Sequence, residues 1–546
     1  GSGATSMTTI RREPLVGVVV GLMVALMLAF IVVPQVEVFV LPGAAGYMAF
    51  FREGPNWLKA TQHSLAAMAL GTTTAVALGF VYAYAMVYSH MPWKPFFRLV
   101  AILPLLSPPF VVAASYILLF GPRGLLTYGI FGASPNILGL YGLWGVQTIA
   151  YFPFAYQLIA DVLARSEPRL EQAARNLGAG PWQLFRTVTL PLARPGLVGA
   201  VLLVAIYILE DFGNPALIGG QYTVLPTLAY GLISGFGDFA GAAVVSTILV
   251  LLAMVLYLAR LRLEGRASVV TVTGRGSAMP RPPIPAAVAW SCFGACLALA
   301  TLILLVYGVL LLSAVVKSYP FNFTPTFEHF GYVGAHFTSL RNSLLDATAA
   351  AIGCSLFAIL LAYLVQRKSW RGRGAVDFLA IVPAAIPGIF FGIGYATTFN
   401  QHWLDWINRG ALITISLIFW NIPVGYRAGI AGLQQIDRSI DEAATSLGAG
   451  SLRAFRDVLF PMLRGPYLTG LVTAFVRAIT TLSVVIFLFT PPTTTATITI
   501  FQLVNDFNWG GATAFTVSVI GMAVAVLMII WTLGGRHVRV QEMSVG

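Results

Sequence analysis

Long apolar runs recur along the whole chain, and each can cross the roughly 30 Å hydrocarbon core of a bilayer as a helix. Backbone polar groups find no water in that core, so a spanning segment has to be a helix or part of a closed barrel. Runs of about 20 residues fit helices, because a membrane strand needs only about 10. We therefore predict an all-α polytopic membrane protein with twelve transmembrane helices. The predicted spans lie near 15–41, 62–88, 98–120, 141–160, 196–218, 239–260, 286–316, 341–366, 375–399, 411–431, 466–489 and 511–533.

Composition agrees with this fold class and limits the partners. Hydrophobic residues make up 58% of the 546 residues, charged residues 10%, and the mean hydropathy is +0.83. Most of the 32 Lys and Arg residues fall in loops on one side of the predicted bundle. The positive-inside rule makes that side cytoplasmic, together with the N- and C-termini. The net charge of +12 is then a topology signal, and no nucleic-acid partner is expected.

The chain carries an internal repeat. The stretch EQAARNLGAG (171–180) returns as DEAATSLGAG (441–450), and nearly half of the positions in 171–194 and 441–464 are identical. Both predicted halves begin and end on the same side after six spans, so they are parallel repeats. Other recurring positions are Ser64, Leu65, Tyr84, Pro104 and Pro108, each found again 279 residues later, and Pro153 and Tyr156, found again 270 residues later.

These observations divide the chain into four parts. Residues 1–6 (GSGATS), ahead of Met7, are interpreted as a cloning remnant. The first predicted half covers 7–262 and the second 286–546. Between them, 263–285 is polar, basic and rich in Gly and Pro, which is typical of a cytoplasmic linker.

The repeated segment falls between the fourth and fifth spans of each half, at 165–194 and 432–464. Good helix formers run from Glu171 to Leu177, and Gly178 is placed to end that helix in a left-handed conformation. Pro181 suits the first turn of a second short helix that we expect Pro191 to end. The prediction is a helix–turn–helix outside the bilayer, serving either as a docking peg for a cytoplasmic partner or as a hairpin that packs on the bundle itself.

This duplicated pattern resembles the coupling loop of ABC importer permeases. The resemblance covers nearly the whole chain and is strongest to the fused, two-half permeases of the iron(III) importer group, to which thiamine permeases are also similar. The first copy departs from the pattern, with Gln172 where Glu is expected and Glu171 one residue earlier. The coupling residues that the resemblance implies are Glu171, Gln172, Ala173, Ala174 and Gly178, with Glu442, Ala443, Ala444 and Gly448 in the second copy.

The resemblance also implies partners and a location. A P-loop needs Gly-Lys-Ser/Thr, and none of Lys59, Lys94, Lys317 and Lys368 follows a Gly, so ATP and magnesium are expected on a separate chain. The resemblance implies two copies of a cytoplasmic ATP-binding subunit, a soluble substrate-binding protein on the outer side, and a place in the bacterial inner membrane. The chain itself is expected to hold no cofactor and not to be an enzyme.

Charges inside predicted spans mark the candidate substrate pathway, because each is costly in hydrocarbon. Glu210 and Asp211 lie in the fifth span and Arg477 in the eleventh. They either line a pathway or gate, or form a fixed buried ion pair. The segment TTLSVVIFLF (480–489) resembles a counterpart of the acidic stretch that starts at Glu210, and its first residues, Thr480 and Thr481, are added to the candidate pathway. We expect Gly213 and Pro215 to break the fifth span near its outer end.

The remaining candidate site residues give weaker signals of function. Cys292, Cys296 and Cys354 are expected to be small apolar filler, and Glu328, His329 and His336, with His63 and His402, have no distinctive metal spacing. Two embedded acids against one Arg, together with the resemblance, favour ferric iron as cargo, with thiamine, polyamine or phosphonate compounds as alternatives. A six-plus-six secondary transporter and a membrane enzyme are the alternatives from other classes.

Overall fold

The computed structural model describes residues 13–54, 56–267, 284–399 and 409–534. The predicted cloning remnant, most of the predicted linker, and His402 lie outside these residues. Each predicted span overlaps at least one helix, so the all-α polytopic prediction is confirmed. Within the described ranges, nine helices are long and apolar enough to cross a membrane, or eleven if each of two bent pairs counts as one span.

The first half contains eleven helices, several of them interrupted by single π turns. They are α1 (Pro14–Val40), α2 (Gly43–Glu53), α3 (Trp57–Tyr88), α4 (Lys94–Ile102), α5 (Pro109–Phe120), α6 (Leu140–Arg165), α7 (Pro168–Asn176), α8 (Pro181–Leu209), α9 (Gly213–Ile218), α10 (Leu225–Phe236) and α11 (Phe239–Ala267).

The second half repeats this order and adds a small antiparallel hairpin of strands β1 (Val316–Ser318) and β2 (Asn322–Pro325). Its helices are α12 (Ala286–Val315), α13 (Glu328–Ala335), α14 (Phe337–Arg367), α15 (Arg373–Ile381), α16 (Gly388–Phe399), α17 (Arg409–Gln434), α18 (Ser439–Ser446), α19 (Ser451–Met462), α20 (Arg464–Thr480), α21 (Ala496–Asn505) and α22 (Trp509–Gly534).

Close helix packing forms the core of each half, from α3, α6 and α8 in the first and from α14, α17 and α20 in the second. A Cβ on Gly79 would lie 2.7 Å from the Ala155 Cβ, and a Cβ on Gly425 would lie 2.8 Å from the Ala358 Cβ. Gly79 and Ala358 occupy equivalent positions in the repeat, as do Ala155 and Gly425. Both halves therefore have the same close approach of two helices, but the glycine lies on the first helix of the pair (α3) in the first half and on the second helix (α17) in the second half.

The two halves exchange their first helices. Helix α1 packs on α16 of the second half, where the Tyr395 hydroxyl donates to the Phe30 carbonyl at 2.7 Å. Helix α12 packs in turn on α3, α4 and α5 of the first half, with the rings of Phe293 and Phe97 5.7 Å apart. This exchange interlocks the halves.

Some predicted helix boundaries are wrong, and proline explains one pair. The continuous third spans predicted at 98–120 and 375–399 are broken, because prolines remove helical hydrogen bonds and restrict the residues before them. In the second half the segments Arg373–Ala385 and Gly388–Phe399 meet at a bend of 109°. The breaks follow Pro104 and Pro383 and coincide with Pro108 and Pro387.

The fifth and eleventh spans also end earlier than predicted. Helix α8 stops at Leu209, so the break precedes Gly213 and Pro215, which both lie inside α9. Pro215 is tolerated there because the first turn of a helix needs no donor from that position. The span predicted at 466–489 stops at Thr480, and a single 3₁₀ turn follows at Val485–Phe487.

Pro191 does not end the second helix of the first repeated segment. The helix Pro181–Leu209 is continuous, and a π turn at Phe185–Thr189 precedes this proline. Proline has no backbone N–H to donate. The wider π turn shifts the hydrogen-bond pattern of the helix, so the helix continues through the proline ring. In the second copy the corresponding segments, α19 and α20, meet at a bend of 78°.

Candidate functional site

The repeated segments form two matched hairpins, which we call hairpin 1 (165–194) and hairpin 2 (432–464). Gly178 has φ +86°, so the left-handed helix end predicted there is confirmed, and Gly448 repeats it with φ +83°. The Ala179 amide donates to the Ala174 carbonyl, and the Ala449 amide donates to the Ala444 carbonyl, both at 3.0 Å. These are the closing bonds of a Schellman-type end. Hence the glycines are required by backbone geometry at both sites.

Each hairpin presents an apolar residue beside its glycine. Leu177 and Leu447 are both 89% exposed, and Trp182 of hairpin 1 is 72% exposed. Ala173 and Ala443, one helical turn before the leucines, are exposed as well. Alanine and leucine at this spacing share one face of the helix. The result is the same small apolar face on both hairpins.

The first residue of the repeated motif in hairpin 1, Glu171, points inward. Its side chain is 1% exposed, and its Oε1 accepts a hydrogen bond of 2.6 Å from the hydroxyl of Tyr88 at the end of α3. Gln172 and Ala174 are half-buried. Glu171 is thus placed to hold the hairpin against the bundle, while Ala173 is presented outward.

Hairpin 2 is held at the equivalent position by a charged pair. Asp441 corresponds to Glu171, and Arg367 corresponds to Tyr88. An Arg367 nitrogen lies 3.3 Å from an Asp441 oxygen, and Arg367 Nη2 also donates to the carbonyls of Leu433 and Ile436. The guanidinium therefore joins the end of α17 to hairpin 2. Glu442 and Ala443 are exposed and Ala444 is buried.

One aromatic contact recurs between the bundle and each hairpin. The ring of Tyr84 meets Phe185 edge-on at 5.8 Å, and the equivalent Tyr363 meets Phe455 at 5.0 Å. In hairpin 2 the Ser439 amide donates to the Asp437 carboxylate at 2.8 Å, which lowers the pKa of that carboxyl. The repeat therefore preserves the seating of each hairpin as well as its shape.

A cavity of about 270 Å³ lies where the halves meet, and both halves contribute to its wall. Glu210 lines it at the C-terminal end of α8. The Oε1 atom of Glu210 is buried and has no hydrogen-bond partner in the described structure. Removing a carboxylate from water without hydrogen bonds is costly, which is typical of a group kept for function.

Asp211, the next residue, has a different environment although it also lines the cavity. It is 6% exposed, and its carboxylate accepts bonds from Gln147 Nε2 at 3.1 Å, Asn214 Nδ2 at 2.9 Å and the Asn214 amide at 3.2 Å. These bonds fix the start of α9. Asp211 therefore holds the chain where α8 ends.

Arg477 lies across the cavity on α20, with its guanidinium carbon 4.7 Å from the centre of the Trp420 ring. In the described structure no Arg477 nitrogen comes within the 4.0 Å of an ion pair to an oxygen of Glu210 or Asp211. The fixed ion pair considered from the sequence is thus not formed in this conformation. Thr480 and Thr481 line the same wall and are mostly buried.

A smaller pocket of about 40 Å³ adjoins the cavity and shares Glu210, Trp420 and Arg477 with it. Arg260 of α11 and Arg427 of α17 also line this pocket. Both arginines lie near the ends of predicted spans, 239–260 and 411–431, and neither was a predicted site residue. Arg427 lies seven residues before the end of α17, roughly 10 Å along the helix axis, so the pocket extends from the cavity toward the hairpins.

The weaker candidates have structural contacts. His63 stacks on Tyr222 at 3.8 Å, His329 Nε2 lies 2.9 Å from the Val316 carbonyl, and His336 stacks on a tyrosine. All three cysteines are buried. Within the described residues, no three His, Cys, Asp or Glu side chains are grouped as metal ligands.

A polytopic bundle with a matched hairpin on each half and a polar cavity between the halves defines a two-half membrane permease. The chain belongs to the family of binding-protein-dependent transport system inner membrane components, whose profile matches residues 75–269 and 355–538. The predicted ABC importer permease is confirmed, with both halves in one chain. The chain is accordingly a multi-pass membrane subunit.

Similar proteins carry related names. The Ferric transport system permease protein FbpB of Actinobacillus pleuropneumoniae is 30% identical over 483 residues, covering 86% of this chain and 70% of that protein. The Putative ferric transport system permease protein FbpB 1 of Haemophilus influenzae is 31% identical over 437 residues, 78% of this chain and 69% of that protein. The Molybdenum transport system permease protein ModB of Escherichia coli K12 is 32% identical over 208 residues, 37% of this chain and 90% of that protein.

Proposed function

We propose that this chain is the permease subunit of an ATP-driven importer of ferric iron. The observation that carries the proposal is the similarity, over 86% and 78% of this chain, to two permeases named for ferric transport. The cavity between the halves, with Glu210 on one wall and Arg477 on the other, is the proposed place of passage. Iron is written here as the cargo and not as a resident cofactor.

The hairpins are the proposed docking sites for two copies of a cytoplasmic ATP-binding subunit, which would bind ATP and magnesium. Support comes from their equal exposure at Leu177 and Leu447, because two like sites fit two copies of one partner. Ala173 and Ala443 would allow the close approach of a partner backbone, and Gly178 and Gly448 set the turn. Glu442, and less so Gln172, would offer polar contacts at the edge.

Orientation follows from the same proposal. The hairpin side faces the cytoplasm, and the opposite side receives a soluble binding protein that delivers the cargo. Most Lys and Arg residues fall in loops on the hairpin side of the predicted bundle, which supports this orientation. The matched hairpins also favour an importer permease over a six-plus-six secondary transporter, which has no use for a pair of docking hairpins.

Arg477 is the proposed gate. A guanidinium held by an aromatic face is bound less tightly than one held by a carboxylate in low dielectric, so it can exchange partners during alternating access. We propose that Arg477 leaves the Trp420 ring and approaches Glu210 in another state of the cycle. Asp211 would stay in place and maintain the break between α8 and α9.

The test is purification of the full chain with its co-encoded ATPase and binding protein, followed by reconstitution into vesicles. ATP-dependent accumulation of ⁵⁵Fe delivered by the binding protein is expected, with two ATPase chains per permease by native mass spectrometry. Vesicles that accumulate thiamine or a polyamine under these conditions, and no ⁵⁵Fe, would contradict the assignment of the cargo.

A further inference from the structure

The charges along the interfacial cavity are unlike those expected for a bare trivalent cation. The small pocket that continues from the cavity toward the hairpins is lined by one carboxylate, Glu210, and by the guanidinium groups of Arg427 and Arg477. Each guanidinium repels Fe³⁺ three times as strongly as it would repel a monovalent cation at the same distance. Low dielectric and poor screening inside the bundle strengthen that repulsion.

The supply of oxygen ligands leads to the same conclusion. Fe³⁺ is a hard cation that favours several anionic or carbonyl oxygens. The cavity wall has two carboxylates, Glu210 and Asp211, and the Asp211 oxygens already accept bonds from Gln147 and Asn214. Its other side-chain oxygens belong to neutral Ser, Thr, Tyr and Gln residues, and much of the remaining wall is apolar. A bare ion would lose its hydration shell and find few anionic oxygens to replace it.

The arginines, in contrast, suit an anion with several oxygens. Arg477 rests on the Trp420 ring, and Arg427 Nη2 donates to the neutral hydroxyl of Tyr257 at 3.1 Å. Neither contact neutralises the guanidinium, so each arginine keeps donors for a charged oxygen ligand. The volume of about 270 Å³ leaves room for an ion with its own shell, since one water takes roughly 30 Å³ in the liquid.

We propose that the cavity takes iron as an anionic or neutral complex, in which a multiply charged oxygen anion coordinates Fe³⁺. The anion meets Arg477 first and then Arg427 as the complex moves from the cavity toward the hairpins. This inference rests on the proposed ferric function and specifies the form of its cargo. The second half supplies these two arginines. At the equivalent positions the first half has Tyr207 and Gln157, so the anion passes along one wall.

The experiment follows metal and anion together. The permease, reconstituted with its ATPase, receives binding protein loaded with ⁵⁵Fe and either ³²P-phosphate or ¹⁴C-citrate, and both labels inside the vesicles are counted. We expect the anion to enter with the iron in near-equal amounts. Entry of ⁵⁵Fe without either anion would overturn this inference and leave the ferric function intact. If no ⁵⁵Fe enters although the vesicles hydrolyse ATP, the ferric function and the complex both fail.

Variants test the arginines separately from folding. Arg427→Met and Arg477→Met are each expected to lower coupled uptake about tenfold or more, while Arg427→Lys and Arg477→Lys retain most of it because the charge stays. Arg371→Met, the same change at an exposed position between α14 and α15, is the matched control and should transport as wild type. Normal anion-coupled uptake in both Met variants, with unchanged melting temperatures, would overturn the role of the arginines.

Discussion

Glu13 and Ser451 join the start of the first transmembrane helix to hairpin 2, 438 positions further along the chain. Glu13 Oε1 accepts the Ser451 hydroxyl at 2.6 Å, and Oε2 accepts the Ser451 amide at 2.8 Å. The carboxylate thereby satisfies a free amide at the N-terminal end of α19, where negative charge is also favoured by the helix dipole. Hairpin 1 has Pro181 at this position, which has no N–H to donate.

The first prediction follows from that asymmetry. Glu13→Gln should loosen hairpin 2 and leave hairpin 1 unchanged, because only hairpin 2 depends on this carboxylate. Losing charge-assisted hydrogen bonds at a half-buried site costs about 1–3 kcal/mol locally. Hydrogen exchange at 451–462 should speed up while exchange at 181–190 does not. Glu37→Gln, the same change later in α1, is the control. Equal exchange in both hairpins of the Glu13 variant would contradict the prediction.

Docking through the exposed alanines gives the second prediction. Ala443→Arg and Ala173→Arg add a long charged side chain to the apolar face of each hairpin, so ATPase binding and stimulation should be lost without a change in melting temperature. Gly374→Arg is a suitable control, because a Cβ at this position would meet no atom within 4 Å and the residue lies outside both hairpins. Substitution of these alanines tests docking more directly than substitution of Gly448, because the positive φ of Gly448 would strain any other residue. Normal assembly in both alanine variants would rule out docking on this face.

The polar edge of each hairpin can be compared in the same assay. Glu442 is exposed and Gln172 is half-buried, so Glu442→Ala should reduce coupling more than Gln172→Ala. Equal losses would mean that the departure of hairpin 1 from the family pattern has no effect on coupling.

Local rules explain what could be predicted from the sequence. The left-handed turns at Gly178 and Gly448 follow from short-range chemistry, and so do the apolar spans. The inward position of Arg427 was missed because a positive charge near the end of a span is also expected at a membrane surface. Glu210 and Asp211 are neighbours with different environments, which depend on Gln147 and hence on tertiary packing. No local sequence pattern predicts that the two halves exchange their first helices.

The anchors of the hairpins give the third prediction. Tyr88→Phe removes one hydrogen bond from the buried Glu171 and should cost about 1–3 kcal/mol. Arg367→Met should cost more, about 3–5 kcal/mol, because it removes the ion pair with Asp441 and the donor to the carbonyls of Leu433 and Ile436. Thermal unfolding in detergent measures both. A larger loss for Tyr88→Phe than for Arg367→Met would show that Arg367 does not seat hairpin 2.

The fourth prediction separates the neighbouring acids of the cavity. Glu210→Gln should keep a melting temperature near wild type and lose most ⁵⁵Fe uptake, since Oε1 of this carboxylate has no partner to lose. Asp211→Ala should lower the melting temperature, because three hydrogen bonds that fix the start of α9 disappear. The opposite pattern, with Glu210→Gln unstable and Asp211→Ala stable, would exchange the roles assigned to the two residues.

The fifth prediction uses the repeat as its own control. Gly425→Ala places a methyl group 2.8 Å from the Ala358 Cβ, a contact too short to accommodate, so the packing of α14 on α17 should be destabilised by about 1–3 kcal/mol. Adding Ala358→Gly should restore stability, because the double variant has the arrangement of the first half, with glycine at the position of Gly79 and alanine at that of Ala155. The single change Ala358→Gly leaves room between the helices and should cost less than Gly425→Ala. Melting temperatures of the three variants form a double-mutant cycle, and its coupling term should favour the double variant. If the two changes add without coupling, the contact between positions 358 and 425 does not set the spacing of α14 and α17.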